Sequence, residues 1–140
     1  MNDKQNSERA EQMVLTFFDQ VWTPPHQLGA IDQLMAEDYI IHTAGTTIRG
    51  RAEFKTWVQD FHHKLLEAKT ESLDVFADAQ GEKVVSRWIC SGKNNGIFDL
   101  EADGRSVMFT GLAIWYLKGD RFKECWVERS AFELYRSLVG

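Results

Sequence analysis

Residues 52–79 read AEFKTWVQDFHHKLLEAKTESLDVFADA, and a change of period inside this stretch decides the fold. In its first part Phe54, Trp57, Val58, Phe61, Leu65 and Ala68 recur at three- and four-residue steps. That spacing lines one face of a helix and predicts a helix over 52–69. Arg51, Glu53, Lys55, Gln59 and Lys64 take its solvated side. From Ser72 the period drops to two. Leu73, Val75, Ala77 and Ala79 alternate with Ser72, Asp74 and Asp78, as on a strand with one buried face.

The chain before this switch is helical in pattern, and the chain after it is strand-like. Upstream, Ala10, Met13, Val14, Phe17, Phe18 and Val21 predict a helix over about 7–22. Asn6 or Ser7 can cap it, and Pro24-Pro25 stops it by withholding two N–H donors. A shorter helix over about 27–36 turns Leu28, Ile31, Leu34 and Met35 inward, and 39–42 and 46–49 read as short extended pieces. Downstream, strands are expected over 84–91, 107–117 and 122–132. Turns fall at Gln80-Gly81, Gly92 to Gly96, Asp103-Gly104 and Gly119-Asp120, with 97–100 a short strand or loop wall. A helical turn over 133–138 ends the chain.

Helices first and strands later point to an α+β fold. Antiparallel strands joined by tight turns need no crossover helices. The three helices can therefore lie on one face of a curved antiparallel sheet wrapped around them. The expected shape is a cone with an apolar pocket, in a single domain over 1–140.

The composition narrows the function. The chain has 140 residues, with 16 basic and 21 acidic side chains and a net charge of −5. Nucleic-acid binding needs clustered Lys and Arg, so no nucleic-acid partner is expected. The longest apolar run, Leu112 to Leu117, is far short of the ~20 residues that cross hydrocarbon, so no membrane partner is expected. The polar first twelve residues do not resemble a secretory signal. Cys90 and Cys125 are too few for a disulfide framework and read as reduced core thiols, which suits a cytoplasmic protein. No metal and no cofactor are expected, because there is neither a close ligand cluster nor a phosphate-cradling glycine loop ahead of a helix.

The aromatic side chains are the strongest hint of a ligand. Trp57, Phe61, Trp88, Phe109, Trp115 and Trp126 come from separate elements that the fold brings together. Each is ordinary core material taken singly. Together they read as the wall of an apolar small-molecule site, with about half of them touching it. Arg87 can stabilise an oxyanion at such a site, or pair with Glu124 or Glu128 across the sheet.

The order of elements resembles the nuclear-transport-factor-2-like fold and, within it, the SnoaL-like polyketide cyclases. Four stretches carry the resemblance: Met35 to His42; Gly50 to Phe61; Val85 to Trp88 with Gly92 and Gly96; and Phe109 to Gly111 followed by Gly119 and Glu124-Cys125-Trp126. It covers the chain from about Glu11 onward. The resemblance implies a pocket histidine at His42 and acid/base proton transfer on an apolar carbonyl compound. It also implies a homodimer through the convex face of the sheet. One position departs from the family pattern: where the cyclases carry an aspartate four residues after the tryptophan, this chain has Ser130. A serine hydroxyl does not titrate near neutral pH, as a general acid/base must. Glu128 lies two residues earlier, on the same strand face as Trp126 and Ser130, and is the substitute carboxylate.

The expected catalytic set is therefore His42, Glu128 and Ser130. The expected ligand-binding set is Trp57, Phe61, Arg87, Trp88, Phe109, Trp115 and Trp126. The leading expectation is a cyclase- or isomerase-type enzyme, and the alternative is a non-catalytic binding module for an apolar ligand. His62 and His63, adjacent on one helix, lack the one-turn spacing of a metal pair. His62 could border the cavity, while His63 and His26 read as solvated.

Overall fold

A computed structural model describes residues 2–140. Helix α1 spans Asp3–Val21 and is capped by Asn2, which accepts from the Gln5 amide while the Gln5 side chain accepts from the Asn2 amide. A 3-10 turn, Leu28–Ala30, leads into the one-turn helix α2, Ile31–Leu34. Strands β1, Met35–Thr43, and β2, Thr46–Arg49, form a hairpin, and α3 follows over Arg51–Lys64. The second half is β3, Leu65–Ala77; β4, Lys83–Asn94; β5, Ser106–Lys118; and β6, Arg121–Arg129, closed by helix α4, Ala131–Val139.

The α+β expectation holds, and the six strands make one curved sheet in the order β2-β1-β6-β5-β4-β3. The meander β3 to β6 is antiparallel throughout, as the turn chemistry predicts. The N-terminal hairpin adds one parallel pair, β1 beside β6, with Ile41 opposite Cys125 and His42 opposite Trp126. The long connection through α3 and the meander supplies the crossover that a parallel pair requires.

Several boundaries differ from the sequence expectation: α1 starts at Asp3, ahead of the caps expected at Asn6 or Ser7, β1 takes Met35 and Ala36 from the expected second helix, and β6 ends at Arg129 rather than 132. Helix α3 stops at Lys64, although residues 64–69 are good helix formers. Pairing with β4 from Leu65 onward overrides that propensity, and Leu65 and Ala68 reach the core from a strand instead. The register breaks between Ser72 and Asp74, so Leu73 bulges outward and Val75 and Ala77 return to the core side. Residues 97–99 form a 3-10 turn rather than a strand, with Phe98 and Asp99 at positive φ. The buried Asn94 side chain holds that turn by accepting from the Gly96 and Ile97 amides.

The core lies between the concave face of the sheet and the two long helices. Val14, Phe17, Phe18 and Val21 of α1 and Phe54 and Val58 of α3 are buried against it. Phe17 is the hub, with Phe18, Phe54, Trp115 and Phe122 all within 6.4 Å between ring centroids. Among the described residues, no helix is long and apolar enough to cross a membrane. On the outer face of β5 and β6, Met108, Leu112, Ile114 and Trp126 stay exposed.

Gly111 shows how tightly the inner face is built. It pairs with Trp88 across β4 and β5, and a Cβ there would sit 2.1 Å from the indole. The glycine lets the Trp88 ring lie flat over the strand. Gly111→Ala is expected to destabilise the fold by roughly 1–3 kcal/mol, the usual cost of overpacking, read from the urea midpoint of unfolding.

Candidate active site

The concave face and the two helices line a half-open cavity of about 60 Å³. Alternation along the strands decides which side chains reach it. β1 sends in Tyr39, Ile41 and Thr43; β4 sends Trp88 and Cys90; β5 sends Phe109, Ala113 and Trp115; β6 sends Cys125, Val127 and Arg129. Trp22 at the end of α1 and Phe54, Trp57 and Phe61 on α3 form the opposite wall. Five of the six expected aromatics therefore line the cavity: Trp57, Phe61, Trp88, Phe109 and Trp115.

The expected catalytic set is placed elsewhere. His42, Glu124, Trp126 and Glu128 lie on the other side of β1 and β6, so His42 and Glu128 do not enter the inner cavity. Trp126 and Glu128 share one face of β6, as read from the sequence, while Ser130 lies past the end of that strand at the start of α4. That face is the outer one, because buried Cys125 and half-buried Val127 take the inner one. Ser130 closes the sheet: its Oγ accepts from the Thr110 amide at 2.9 Å, and its own amide donates to the Thr110 carbonyl. Arg87 is also outside the cavity. Its Nε and Nη2 hold Asp74 at 2.8 and 2.7 Å, so it does form an ion pair across strands, with a partner on β3.

On the outer face these residues make a small cluster of their own. His42 Nε2 donates to Glu124 Oε2 at 2.6 Å, and Nδ1 faces the Thr47 hydroxyl at 3.0 Å. The imidazole stacks on Trp126 at 5.6 Å between ring centroids. A surface groove of about 360 Å³ runs past His42, Thr47, Trp126 and Glu128. Thr43, Val127 and Arg129 border both this groove and the inner cavity.

Among the described residues, three that line the cavity hold a buried polar atom without a hydrogen-bond partner: the Tyr39 hydroxyl, Thr43 Oγ1 and Trp115 Nε1. Their residues are 0%, 3% and 2% exposed. The Tyr39 hydroxyl lies beside the Cys125 thiol and the Trp115 indole, but neither contact has hydrogen-bond geometry. Burial pushes the Tyr39 phenol and the Cys125 thiol well above their ordinary values, and the Cys90 thiol to about 11. These groups are protonated donors at neutral pH, not nucleophiles. Among the described residues, no carboxylate and no imidazole lines this cavity.

The sequence reading missed Tyr39, Thr43 and Arg129. The signal was available in part. Cys125 and Val127 are the apolar members of β6, and Arg129 continues their alternation. Tyr39 and Thr43 stand at even spacing from Ile41, the buried residue of β1.

The family model for SnoaL-like polyketide cyclases matches residues 12–138. This chain belongs to that family. No curated protein matches the sequence. Among solved structures, the chain is similar to TsrD from Streptomyces laurentii, with a TM-score of 0.80 and 19% identity over 94% of this chain and 95% of that one. It is also similar to a SnoaL-like polyketide cyclase from Agrobacterium tumefaciens, with a TM-score of 0.77 and 15% identity over 92% and 97%. An LEH-like epoxide hydrolase from M. tuberculosis follows at 0.74 and 13%, over 95% and 91%. At these identities the likeness speaks for the nuclear-transport-factor-2-like fold.

The histidines at the far end of α1 are structural. His62 Nε2 donates to the Val21 carbonyl at 3.0 Å, and His26 Nε2 to the Ala68 carbonyl at 2.6 Å, with the two rings 4.1 Å apart. His26 is thus engaged rather than simply solvated. Burial, helped by the nearby His26, lowers His62 to about 4 from an ordinary 6.5. The unfolded chain protonates this group near 6.5, while the folded chain resists until about 4. Its contribution is therefore complete above pH 6.5 and is lost as the pH falls toward 4. Thermal melts should show a drop in Tm between pH 7.5 and pH 4.5, in a window where His62→Gln drops less.

Proposed function

We propose that this protein binds a flat, largely apolar carbonyl compound in the inner cavity. One observation carries this reading: three residues of a largely aromatic cavity lining hold buried polar atoms without partners. An unpaired buried polar group costs roughly 1–3 kcal/mol, and a ligand oxygen accepting from Tyr39 and Trp115 removes that cost. Small-molecule sites have this composition, an apolar wall with a few placed polar groups. At about 60 Å³ the cavity is smaller than the ~150 Å³ that holds a benzene ring, so even a one-ring ligand requires Trp57 and Phe61, both only half-buried, to turn aside.

The same donors would hold an enolate oxygen more strongly than a ketone oxygen. The cavity wall thus offers the electrophilic half of a proton transfer, without a carboxylate or imidazole for the other half. That division favours a binding module over a cyclase working inside the cavity.

The test uses acetophenone as the probe. Tyr39→Phe and Thr43→Val should weaken its binding by about tenfold, followed by NMR titration of the indole N–H signals. In the free protein Tyr39→Phe should raise the stability, because it deletes a buried hydroxyl that has no partner. Unchanged affinity in both variants would reject the site.

A second reading rests on the outer groove, where His42 and Glu128 both line one wall. In it the protein is an acid/base enzyme of the cyclase or isomerase type. His42, held by Glu124, accepts a proton α to a carbonyl, and Glu128 returns one. Incubation with polycyclic ketones followed by mass spectrometry and chiral chromatography separates the two readings. A product that disappears in His42→Ala and Glu128→Gln would establish the enzyme; recovery of unaltered ligand establishes the binder.

A further inference from the structure

We propose that the ligand of the inner cavity is an acid, and that Arg129 holds its carboxylate. This rests on the reading of that cavity as a small-molecule site, and it concerns a group that reading does not use. Arg129 is the last residue of β6 and points inward, where it borders the cavity near Phe109 and Thr43. Its guanidinium carbon lies 6.0 Å from the centroid of the Phe109 ring. Among the described residues it makes no ion pair and no side-chain hydrogen bond. Arg51, which is also largely buried, pairs with Asp32 and donates to two backbone carbonyls.

The carboxylates of the neighbouring strands face away from Arg129 or are engaged by other side chains. Glu128 is the next residue back and points to the opposite face. Glu124 is engaged by His42, and Asp74 by Arg87. The chain therefore keeps one guanidinium against an aromatic wall with nothing of its own to balance it. Burial lowers its pKa, with no carboxylate near enough to oppose the shift. A planar fork of donors in a partly desolvated site is built for a bidentate carboxylate, and a charged acceptor strengthens each bond.

The position of Arg129 also bears on the shape of the acid. Cys125, beside the unpartnered Tyr39 and Trp115, is four residues earlier on the same strand. At ~3.3 Å per residue the two ends of the cavity wall are about 13 Å apart along the backbone. An acceptor oxygen at one end of an aromatic ring and a carboxylate at the other would meet both.

The experiment compares 4-acetylbenzoate with its methyl ester by NMR titration of the isotope-labelled full chain. The two probes share ring and ketone and differ in charge. The acid should bind about tenfold or more tightly than the ester and shift the Arg129 Nε–H signal. Arg129→Gln should bring the acid down to the affinity of the ester, and Arg129→Lys should keep part of the preference. If the ester binds as well as the acid in the unaltered protein, the acid inference fails and the cavity reading stands. A preference that survives in Arg129→Gln also overturns the role of Arg129. If neither probe moves the cavity signals, the cavity reading fails and the acid inference with it.

Discussion

The register of β6 between β1 and β5 is the constraint on which the rest depends. Ile41 opposite Cys125 on one side, and Trp115 opposite Cys125 on the other, fix one alternation for three strands at once. That alternation puts Cys125, Val127 and Arg129 inside and Glu124, Trp126 and Glu128 outside. A one-residue slip would exchange every member of the two sets. The slip is blocked because Cys125 is fully buried beside Tyr39 and Trp115, where no charged residue of β6 could be accommodated.

The two faces of the sheet have opposite chemistry. Outside, charged side chains find partners: His42 with Glu124, Arg87 with Asp74, Lys123 with Asp38. Inside, the polar atoms of Tyr39, Thr43 and Trp115 find none, and Arg129 has only an aromatic ring. Native interiors rarely leave several polar groups unpaired in one place. Their clustering around one cavity is the feature that distinguishes this wall from ordinary core packing. The place of the aspartate in the family pattern falls on Ser130, which spends its hydroxyl on closing the sheet against Thr110.

Much of the fold was legible in the chain. Apolar residues at helical spacing in residues 10–21 and 54–61 located both long helices, and turn residues located the hairpins of the meander. The boundary at Lys64 was not legible, since residues 64–69 favour a helix locally and become strand only by pairing with β4. The bulge at Leu73 and the parallel pairing of β1 with β6 were hidden for the same reason. Each is set by a partner strand far away in sequence. For the site, Trp57, Phe61, Trp88, Phe109 and Trp115, picked out by their aromatic rings, line the cavity. Trp126 and Arg87 were not separable from that group, because a tryptophan or an arginine suits either face of a strand.

The sequence by itself determined the composition of the site and the order of the layers. Hydrophobic periodicity is a local property, and it suffices to say which segments are helices, which are strands, and that aromatic side chains from several of them must meet. Only the tertiary structure decided which face of β1 and β6 is the inner one. Period-two alternation sets His42 apart from Ile41 on β1, and Glu128 apart from Val127 on β6, without saying which set is covered. The helices settle that choice by covering Tyr39, Thr43, Trp115 and Arg129, and so leave His42 and Glu128 on the outer face.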